Sequence, residues 1–167
     1  VQMHDLAQAF LNEGHQATII TPNSQLKTPV SIDWQEGVQV IQVKALASKD
    51  VNYVRRTFAE FINPFLIWHQ LKRNPVFLNA SFDGVIWYSP TIFWGPLIKR
   101  IKGQFKIRSY LILRDIFPDW AIDLGVMKKG LAYLFLKAIE RFQYQQANTI
   151  GVQSPNNATY FKRQYPE

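Results

Sequence analysis

Short apolar stretches alternate with longer helical patterns along most of the chain. Apolar residues spaced three and four apart predict helices, whereas short apolar or alternating runs predict strands. The predicted helices cover 1–12, 51–73, 91–102, 130–145 and 155–164, and the predicted strands cover 17–20, 38–43, 85–88, 106–113 and 149–152. Strands that alternate with such helices form parallel sheets with right-handed crossovers. We therefore expect an α/β fold, a doubly wound parallel sheet with helices on both faces.

The start of the pattern and one connection differ from this scheme. Asn23–Gly37 is mainly polar and predicts a loop. The first element is a helix, although doubly wound domains usually begin with a strand and a glycine-containing loop. Either the first strand has been cut off or this fold lacks it. Because no repeat, low-complexity tract or linker interrupts the chain, we expect one domain over residues 1–167.

Composition narrows the classes of function. The chain of 167 residues has a net charge of +7, three histidines and no cysteine. The charge predicts an anionic partner: nucleic acid, anionic lipid or a phosphorylated small molecule. Disulfides and thiolate metal sites are excluded, a reducing compartment is favoured, and the histidines lack metal-ligand spacing. The longest uncharged stretch, Gly84–Ile98, contains prolines and is shorter than the ~20 apolar residues of a membrane span.

The most informative segment follows the fourth predicted strand. Arg114 and Asp115 come directly after this strand, and in an open α/β sheet ligands bind outside the carboxyl ends of the strands. We expect Arg114 to meet a phosphate and Asp115 to accept hydrogen bonds from sugar hydroxyls. Phe117 or Trp120 is expected to lie against a ring. The alternative is structural: Asp119 caps a helix and Arg114 pairs with a neighbouring carboxylate.

Basic and aromatic residues are concentrated in two regions. The segment from Lys99 to Arg108 contains five basic residues and no acidic one, and aromatic residues precede it. The region Val51–Arg73 also has aromatic residues framed by cations. Cations beside aromatic side chains suit the headgroups of anionic lipids. The residues that we expect to face a membrane are Phe93, Trp94, Lys99, Arg100, Lys102 and Lys106.

Two other interpretations of these regions stay open. Helices that flank a parallel sheet are apolar on one face, so aromatic residues at helical spacing also predict core. Phe58, Phe61 and Phe65 are the best core candidates. Basic stripes with interleaved aromatic residues also bind single-stranded nucleic acid. Because no nucleic-acid-binding motif accompanies the charge, a nucleic-acid partner is not expected.

Three segments together carry a family resemblance: Val1–Pro22, Arg114–Asp119 and Gly151–Pro155. The first segment resembles the first helix and second strand of one domain. The second resembles the loop of that domain that faces the interdomain cleft, and the third resembles the strand and serine that close the domain. That domain is the N-terminal half of family 4 glycosyltransferases of the GT-B fold. The similarity is closest to bacterial enzymes of O-antigen and capsule assembly, particularly proposed N-acetyl-fucosamine transferases. The resemblance implies a Rossmann-like domain that is one half of a GT-B fold.

The resemblance also implies partners and a location. The N-terminal domain of such enzymes receives the acceptor, often a polyprenyl diphosphate-linked sugar, and a C-terminal domain holds the nucleotide sugar. The donor domain has no counterpart in this sequence, so the fragment alone is expected to be inactive. We expect a peripheral protein on the inner, cytoplasmic face of a bacterial membrane, with an anionic membrane surface as a partner.

The roles of individual residues follow from the same resemblance. Retaining transfer in this family is described as front-face displacement, in which the leaving diphosphate helps to take the acceptor proton. Neither a carboxylate pair, a metal nor a cofactor is then expected. Asp115 is the expected catalytic residue, which orients the acceptor hydroxyl and stabilises positive charge on the donor sugar. Arg114 is expected to bind phosphate or to hold Asp115 in place.

Further acceptor-binding residues are expected around this pair. The residues are Tyr88, Ser89, Thr91, Phe117, Asp119 and Trp120. Ser154 ends the last predicted strand, but a serine before proline more often begins a turn. The alternative function is a non-catalytic α/β module whose basic surface binds anionic lipid or nucleic acid.

Overall fold

Two three-stranded sheets with flanking helices form the fold. The computed structural model describes residues 2–89 and 91–165, and the chain divides into two units, Val1–Ala80 and Ser81–Glu167. The second sheet is all parallel, and the first contains one parallel and one antiparallel strand pair. The expectation of a Rossmann-like α/β fold is therefore confirmed. The expectation of one domain over residues 1–167 stays a prediction.

The first unit is built around its central strand. Its elements are α1 (Gln2–Asn12), β1 (Thr18–Asn23), β2 (Val30–Gln35), β3 (Val38–Lys44), α2 (Tyr53–Leu71) and α3 (Pro75–Leu78). The strand order is β1-β3-β2, and β1 is parallel to β3. Val40 and Ile41 of β3 are both buried. Since neighbouring residues of a strand point to opposite faces, both faces of β3 are covered. Strand β1 continues through Pro22, which an edge strand tolerates.

The predicted loop over residues 23–37 is wrong in its second half. Val30–Gln35 forms β2, which pairs antiparallel with β3 and joins it through a turn at Glu36 and Gly37. Both turn residues have positive φ angles, 50° and 83°, as the tight type I′ hairpin turn requires. Apolar residues alternate with polar ones along β2, and this period of two marks a strand that the overall polarity of the segment concealed.

Helix α2 is amphipathic, but its buried face is not the predicted one. The inward-facing residues are spaced four apart: Ala59, Asn63, Ile67 and Leu71. Asn63 is accommodated because its side-chain amide accepts from the Leu46 N–H at 2.8 Å and donates to the Leu46 carbonyl at 3.0 Å. Phe58, Phe61 and Phe65 are 62%, 40% and 40% exposed, so the expectation that they form core is wrong. The small Ala59 and the hydrogen-bonded Asn63 allow this face, rather than the phenylalanine face, to pack inward.

The second unit contains an all-parallel sheet. Its elements are β4 (Gly84–Ser89), α4 (Gly95–Phe105), β5 (Arg108–Leu113), α5 (Asp119–Asp123), α6 (Leu131–Gln145), β6 (Thr149–Val152) and α7 (Pro155–Gln164). The strand order is β4-β5-β6. Leu111 and Leu113 of the central strand are fully buried in a cluster with Trp87, Ile98 and Tyr144. The predicted ranges of β6 and α7 are confirmed.

Helix α4 begins later than predicted, at Gly95 rather than at Thr91. Pro96 follows in the first turn, where its missing N–H has no intrahelical partner to lose. A Cβ atom on Gly95 would lie 3.0 Å from Gln143 Cα and 2.9 Å from Phe142 Cδ1. The glycine therefore permits α4 and α6 to approach closely beside the β4–α4 connection.

Candidate functional site

Three strands of the second unit end at the same edge of the sheet. In the parallel register Ser89 pairs with Leu113, and Leu113 pairs with Val152. The residues after these strand ends therefore meet at the carboxyl edge, where open α/β sheets bind their ligands. Arg114 and Asp115 follow β5 at this edge, and Tyr88 lies at the end of the neighbouring strand β4. The structure thus places these three predicted residues together.

Arg114 is held by a phenol rather than by a carboxylate. Its Nη1 donates to the Tyr88 hydroxyl at 2.6 Å, and the side chain is exposed. No carboxylate of the described residues forms an ion pair with this guanidinium. A guanidinium has five N–H donors, so donors beyond the one used by Tyr88 are open to a phosphate. The structural alternative for Arg114, an ion pair with a neighbour, is wrong.

Asp115 is exposed at the same edge. Within residues 2–89 and 91–165, no hydrogen bond or ion pair engages its carboxylate. Arg114 does not hold it in place, so the expected locking contact between these neighbours is absent from the described contacts. Both carboxylate oxygens can therefore accept from a ligand. The expected catalytic role of Asp115 stays a prediction.

Two aromatic residues, Phe117 and Trp120, follow Arg114 and Asp115 in the chain. The rings of Phe117 and Trp120 lie 5.8 Å apart between centroids and are tilted by 53°. Trp120 is 41% exposed, whereas Phe117 is partly buried. An exposed indole beside an anchored ring can stack on an apolar or sugar face. The expectation that one of them lies against a ligand ring stays a prediction.

The serine and threonine after β4 have structural partners. Ser89 is 3% exposed, and Gln143 Nε2 lies 3.4 Å from its hydroxyl and 3.3 Å from the Thr91 carbonyl. The same fully buried Gln143 accepts from the Trp94 N–H at 3.1 Å. One amide therefore contacts the backbone of both Thr91 and Trp94 before α4. Because its hydroxyl is buried, the expectation that Ser89 binds an acceptor is wrong, whereas the partly exposed Thr91 keeps its place beside the site.

Ser154 at the end of β6 caps a helix. Its hydroxyl accepts from the Asn157 N–H at 3.2 Å, and Pro155 occupies the first turn of α7. This is the N-cap arrangement, which satisfies one of the free N–H groups at a helix start. The structural interpretation of Ser154 is therefore the right one.

The carboxylate of Asp119 is occupied by three donors. Tyr133 Oη donates to Oδ1 at 2.8 Å, Lys137 Nζ donates to Oδ2 at 2.7 Å, and Tyr160 Oη also donates to Oδ2. Asp119 thereby anchors α5 to α6 and α7. The expectation that Asp119 caps a helix is wrong, because Pro118 is the residue that precedes α5, whereas the expected role of Asp119 in acceptor binding stays a prediction.

Lys137 also pairs with a fully buried carboxylate. Its Nζ lies 2.6 Å from Oε2 of Glu140, which has no exposed surface. Tyr144 donates to Oε1 of Glu140 at 3.0 Å, and Tyr165 donates to Oε2 at 3.3 Å. A buried charge is stable only when it is paired and hydrogen-bonded, and Glu140 meets both conditions. Lys137 therefore forms ion pairs with both carboxylates, Asp119 and Glu140.

The pKa values of this network follow from burial and from Lys137. Burial by itself raises the pKa of Asp119, but hydrogen bonds from Lys137, Tyr160 and Tyr133 outweigh it and bring the pKa below its usual value. Burial raises the pKa of Glu140, and Lys137 offsets only part of this effect. Burial lowers the pKa of Lys137, but its carboxylate partners more than compensate and raise the pKa.

Sequence reasoning missed this network. Tyr133, Lys137, Glu140 and Tyr144 are spaced four, three and four residues apart, so they form one stripe along α6. A polar stripe usually marks the solvated face of a helix. Only the burial of Glu140 identifies it as the inward face.

Replacement of Asp119 by asparagine tests the depressed pKa. Because the folded-state pKa of Asp119 lies below its unfolded value, its charge stabilises the fold above about pH 4, and this contribution is lost as pH falls through the folded pKa. We expect Asp119→Asn to lower the free energy of unfolding by about 1–3 kcal/mol at neutral pH and by much less near pH 3. Urea unfolding at both pH values measures the difference. A difference that does not change with pH would contradict the assignment.

Two predicted membrane-facing aromatic residues are in the interior. Phe93 is 6% exposed, and Trp94 packs against the core cluster that contains Leu111. The expectation that these rings face a membrane is therefore wrong. Gln143 binds the backbone of Thr91 and Trp94, and these contacts hold the segment before α4 toward the interior. Phe93 and Trp94 are therefore directed inward.

The predicted membrane-facing cations are divided between contacts and solvent. Lys102 donates to a carbonyl at the end of α6 at 2.7 Å, and Arg100 donates to a carbonyl of its own helix at 3.2 Å. Lys99 is exposed, with Nζ 5.7 Å from the centroid of the Phe142 ring. Lys106 is exposed at the end of α4. Because Phe93 is buried and Trp94 packs against the core, these cations do not form the expected surface of basic and aromatic side chains.

The first unit contains a separate cationic cavity. Its volume is about 710 Å³, and it lies beside the carboxyl end of β3. Lys27, Lys44, His69 and Arg73 are on its wall, and no carboxylate is among the described lining residues. Such a lining attracts anions. The anionic partner that the net charge of the chain predicts stays a prediction.

Metal ligation, membrane spanning and similarity to known proteins are the remaining guides to function. Among the described residues, no group of three or more His, Asp or Glu side chains is placed to hold a metal ion. The helices of residues 2–89 and 91–165 lack the combined length and apolar character of a membrane span. No protein-family model and no curated protein matches this chain.

Proposed function

We propose that this chain is the acceptor-binding half of a retaining glycosyltransferase that uses a nucleotide sugar. The acceptor is a glycan, carried on polyprenyl diphosphate, in the synthesis of a surface polysaccharide. The observation that carries the proposal is the Arg114–Tyr88 pair with Asp115 exposed beside it, at the carboxyl edge of a parallel sheet.

Arg114 and Asp115 match the two kinds of polar group in a phosphorylated sugar, its phosphate oxygens and its hydroxyls. Arg114 has donors for phosphate oxygens, and the hydrogen bond from its Nη1 to Tyr88 restricts the orientation of the guanidinium. Asp115 has two acceptor oxygens for sugar hydroxyls. Both side chains are exposed and belong to consecutive residues that follow β5 at the carboxyl edge of the sheet.

The proposed reaction needs one carboxylate and no cofactor. The acceptor oxygen bonds to the anomeric carbon of the donor sugar while the bond from that carbon to the diphosphate breaks on the same face. The acceptor proton passes to an oxygen of the leaving diphosphate. Asp115 orients the acceptor hydroxyl and stabilises the positive charge that develops on the sugar ring, which is electrostatic preorganisation.

A peripheral location on the inner face of the bacterial cytoplasmic membrane belongs to the same proposal. The lipid carrier of the acceptor confines its sugar to the membrane surface. A net charge of +7 favours contact with anionic lipids, since each cation near such a surface contributes about 1 kcal/mol.

The cavity of the first unit favours a second candidate function. Lys27, Lys44, His69 and Arg73 provide a wall that can bind an anion. A non-catalytic α/β module that binds an anionic ligand would use this cavity and would not need Asp115. Anionic lipid and nucleic acid are the ligand classes for this candidate.

A transfer assay separates the two candidates. The expected donor domain lies outside residues 1–167, so the assay uses the full-length protein with a panel of nucleotide sugars and a polyprenyl diphosphate-linked glycan. We expect a glycosylated product whose anomeric configuration matches that of the donor, measured by NMR. The absence of transfer from every donor, together with tight and salt-sensitive binding of single-stranded oligonucleotides, would establish the second candidate instead.

A further inference from the structure

Exposed aliphatic residues lie on the α5–α6 connection and on the first turn of α6 in the second unit. Four aliphatic residues form this apolar ledge: Leu124 (70% exposed), Val126 (70%), Leu131 (87%) and Leu134 (61%). Large aliphatic side chains that are exposed singly need no explanation, but a run of them within a short segment marks an interaction surface.

The backbone holds the ledge in this orientation. The N–H groups of Val126 and Met127 both donate to the carbonyl of the buried Ala121, at 2.9 and 3.0 Å. Gly125 has a φ of 70°, which turns the chain directly after α5. Leu124 and Val126 therefore project from an ordered turn.

Helix α6 reverses the usual amphipathic arrangement near its start. The ion-paired Lys137 and Glu140 lie in the polar stripe that faces the interior, whereas Leu131 and Leu134 face solvent. A surface helix of a globular protein normally places its apolar stripe inward. The reversal leaves apolar area outward on a helix whose inward positions are already occupied by charges.

The charged residues within the ledge segment 124–134 are two lysines, and the exposed Asp123 directly precedes this segment. Lys128 and Lys129 are exposed between Val126 and Leu131, and the sequence contains no acidic residue between Asp123 and Glu140. Apolar side chains beside flexible cations suit a bilayer interface, where the aliphatic groups enter the acyl boundary and the ammonium groups meet anionic headgroups. A protein partner that covered the ledge would need carboxylates opposite both lysines.

We propose that the apolar ledge is the membrane-binding surface, and that Leu124, Val126, Leu131 and Leu134 enter the interface of an anionic bilayer while Lys128 and Lys129 bind its headgroups. This inference rests on the membrane location included in the proposed function. It replaces the Phe93–Lys106 region, whose aromatic residues are buried or packed against the core, as the contact with lipid.

Sedimentation with lipid vesicles tests the aliphatic part of the ledge. We expect the wild-type protein to pellet with vesicles of phosphatidylcholine and phosphatidylglycerol in equal parts, and to bind vesicles of phosphatidylcholine alone much more weakly. The double variant Leu131→Glu/Leu134→Glu should bind at least about tenfold more weakly, since two charges must then enter the interface. Trp34→Glu is the control, because Trp34 is 69% exposed in β2 and lies outside both regions of aromatic and basic residues.

A second pair of variants tests the cations. Lys128→Gln/Lys129→Gln should weaken vesicle binding by about 25-fold at low salt, from about 1 kcal/mol for each cation. The control Lys162→Gln/Arg163→Gln removes the same charge from adjacent exposed positions of α7 and should bind close to wild type. All four altered segments are exposed, so circular dichroism should report unchanged melting temperatures.

Three outcomes would overturn the inference. The first is unchanged vesicle binding by both ledge variants, and the second is equal wild-type binding to neutral and anionic vesicles. The third is a dimer that the ledge variants dissociate, measured by analytical ultracentrifugation, which would mean that a second copy of the chain covers the ledge. The vesicle assay contains no sugar donor, so its failure leaves the transfer assay unaffected and the two proposals fail independently.

Discussion

Replacement of Asp115 by asparagine in the full-length protein is expected to lower sugar transfer by about a hundredfold or more. The substitution keeps the shape of the side chain and removes its negative charge. The amide can still contact a hydroxyl, but it cannot stabilise positive charge on the donor sugar. Because Asp115 is exposed and no described residue binds its carboxylate, the melting temperature should stay within the error of the wild-type value.

The comparison uses a neighbouring carboxylate as a control. Asp123 is also exposed and is the last residue of α5, so Asp123→Asn removes the same charge from a position eight residues further along the chain. We expect this control to transfer sugar at the wild-type rate, and we expect Asp115→Glu to recover part of the activity because it restores the charge. Wild-type turnover by Asp115→Asn would refute the catalytic assignment and would leave Arg114 without the partner that the proposal requires.

Replacement of Lys137 by methionine is expected to lower the free energy of unfolding by about 3–5 kcal/mol. The change leaves the fully buried Glu140 without its ion-pair partner and removes one of three donors to Asp119. Methionine has a similar length, so loss of packing contributes little. Urea unfolding at neutral pH measures the effect, and Lys162→Met, on the exposed side of α7, is the matched control.

A double variant distinguishes lost charge pairing from lost packing. Lys137→Met/Glu140→Leu removes both members of the buried pair, and apolar replacement of such a pair is often neutral or stabilising. We therefore expect the double variant to recover part of the stability lost in Lys137→Met. A loss below about 1 kcal/mol in the single variant would mean that water or the two tyrosines, Tyr144 and Tyr165, stabilise Glu140 without the lysine.

The network also explains how the site is positioned. Asp119 lies four residues after Asp115, and its contacts with Tyr133, Lys137 and Tyr160 attach the end of the 114–118 segment to α6 and α7. Gln143 performs the same task for the β4–α4 connection, where it contacts Ser89 and the Thr91 carbonyl. Tyr133, Lys137 and Gln143 all belong to α6, so this helix contacts both segments that border the Arg114–Tyr88 pair.

The convergence at the sheet edge could be predicted because it follows from chain topology. Parallel strands place their carboxyl ends together, so residues after β4 and β5 must meet once the alternating pattern is recognised. Arg114 and Tyr88 accordingly lie within hydrogen-bond distance although they are 26 residues apart. The strand β2 was missed, since its alternation is short and lies within a segment that is polar overall; the Glu36–Gly37 turn was the available signal.

The burial of individual side chains could not be predicted in the same way. Phe58 and Phe93 have similar sequence surroundings of aromatic and basic residues, yet the first is 62% exposed and the second is 6% exposed. The difference depends on which face of α2 meets β3 and on the Gln143 contacts that draw the β4–α4 connection inward. Both depend on residues distant in the chain.

The sequence by itself determined the alternation of strands and helices, the carboxyl edge where Arg114 and Asp115 emerge, and the excess of positive charge. Periodicity and composition are local properties, so they can be read along the chain. Only the tertiary structure decided that Glu140 and Lys137 are internal and that Leu131 is external. Helical spacing shows that residues share a face, but which face is buried depends on the partner element that packs against it.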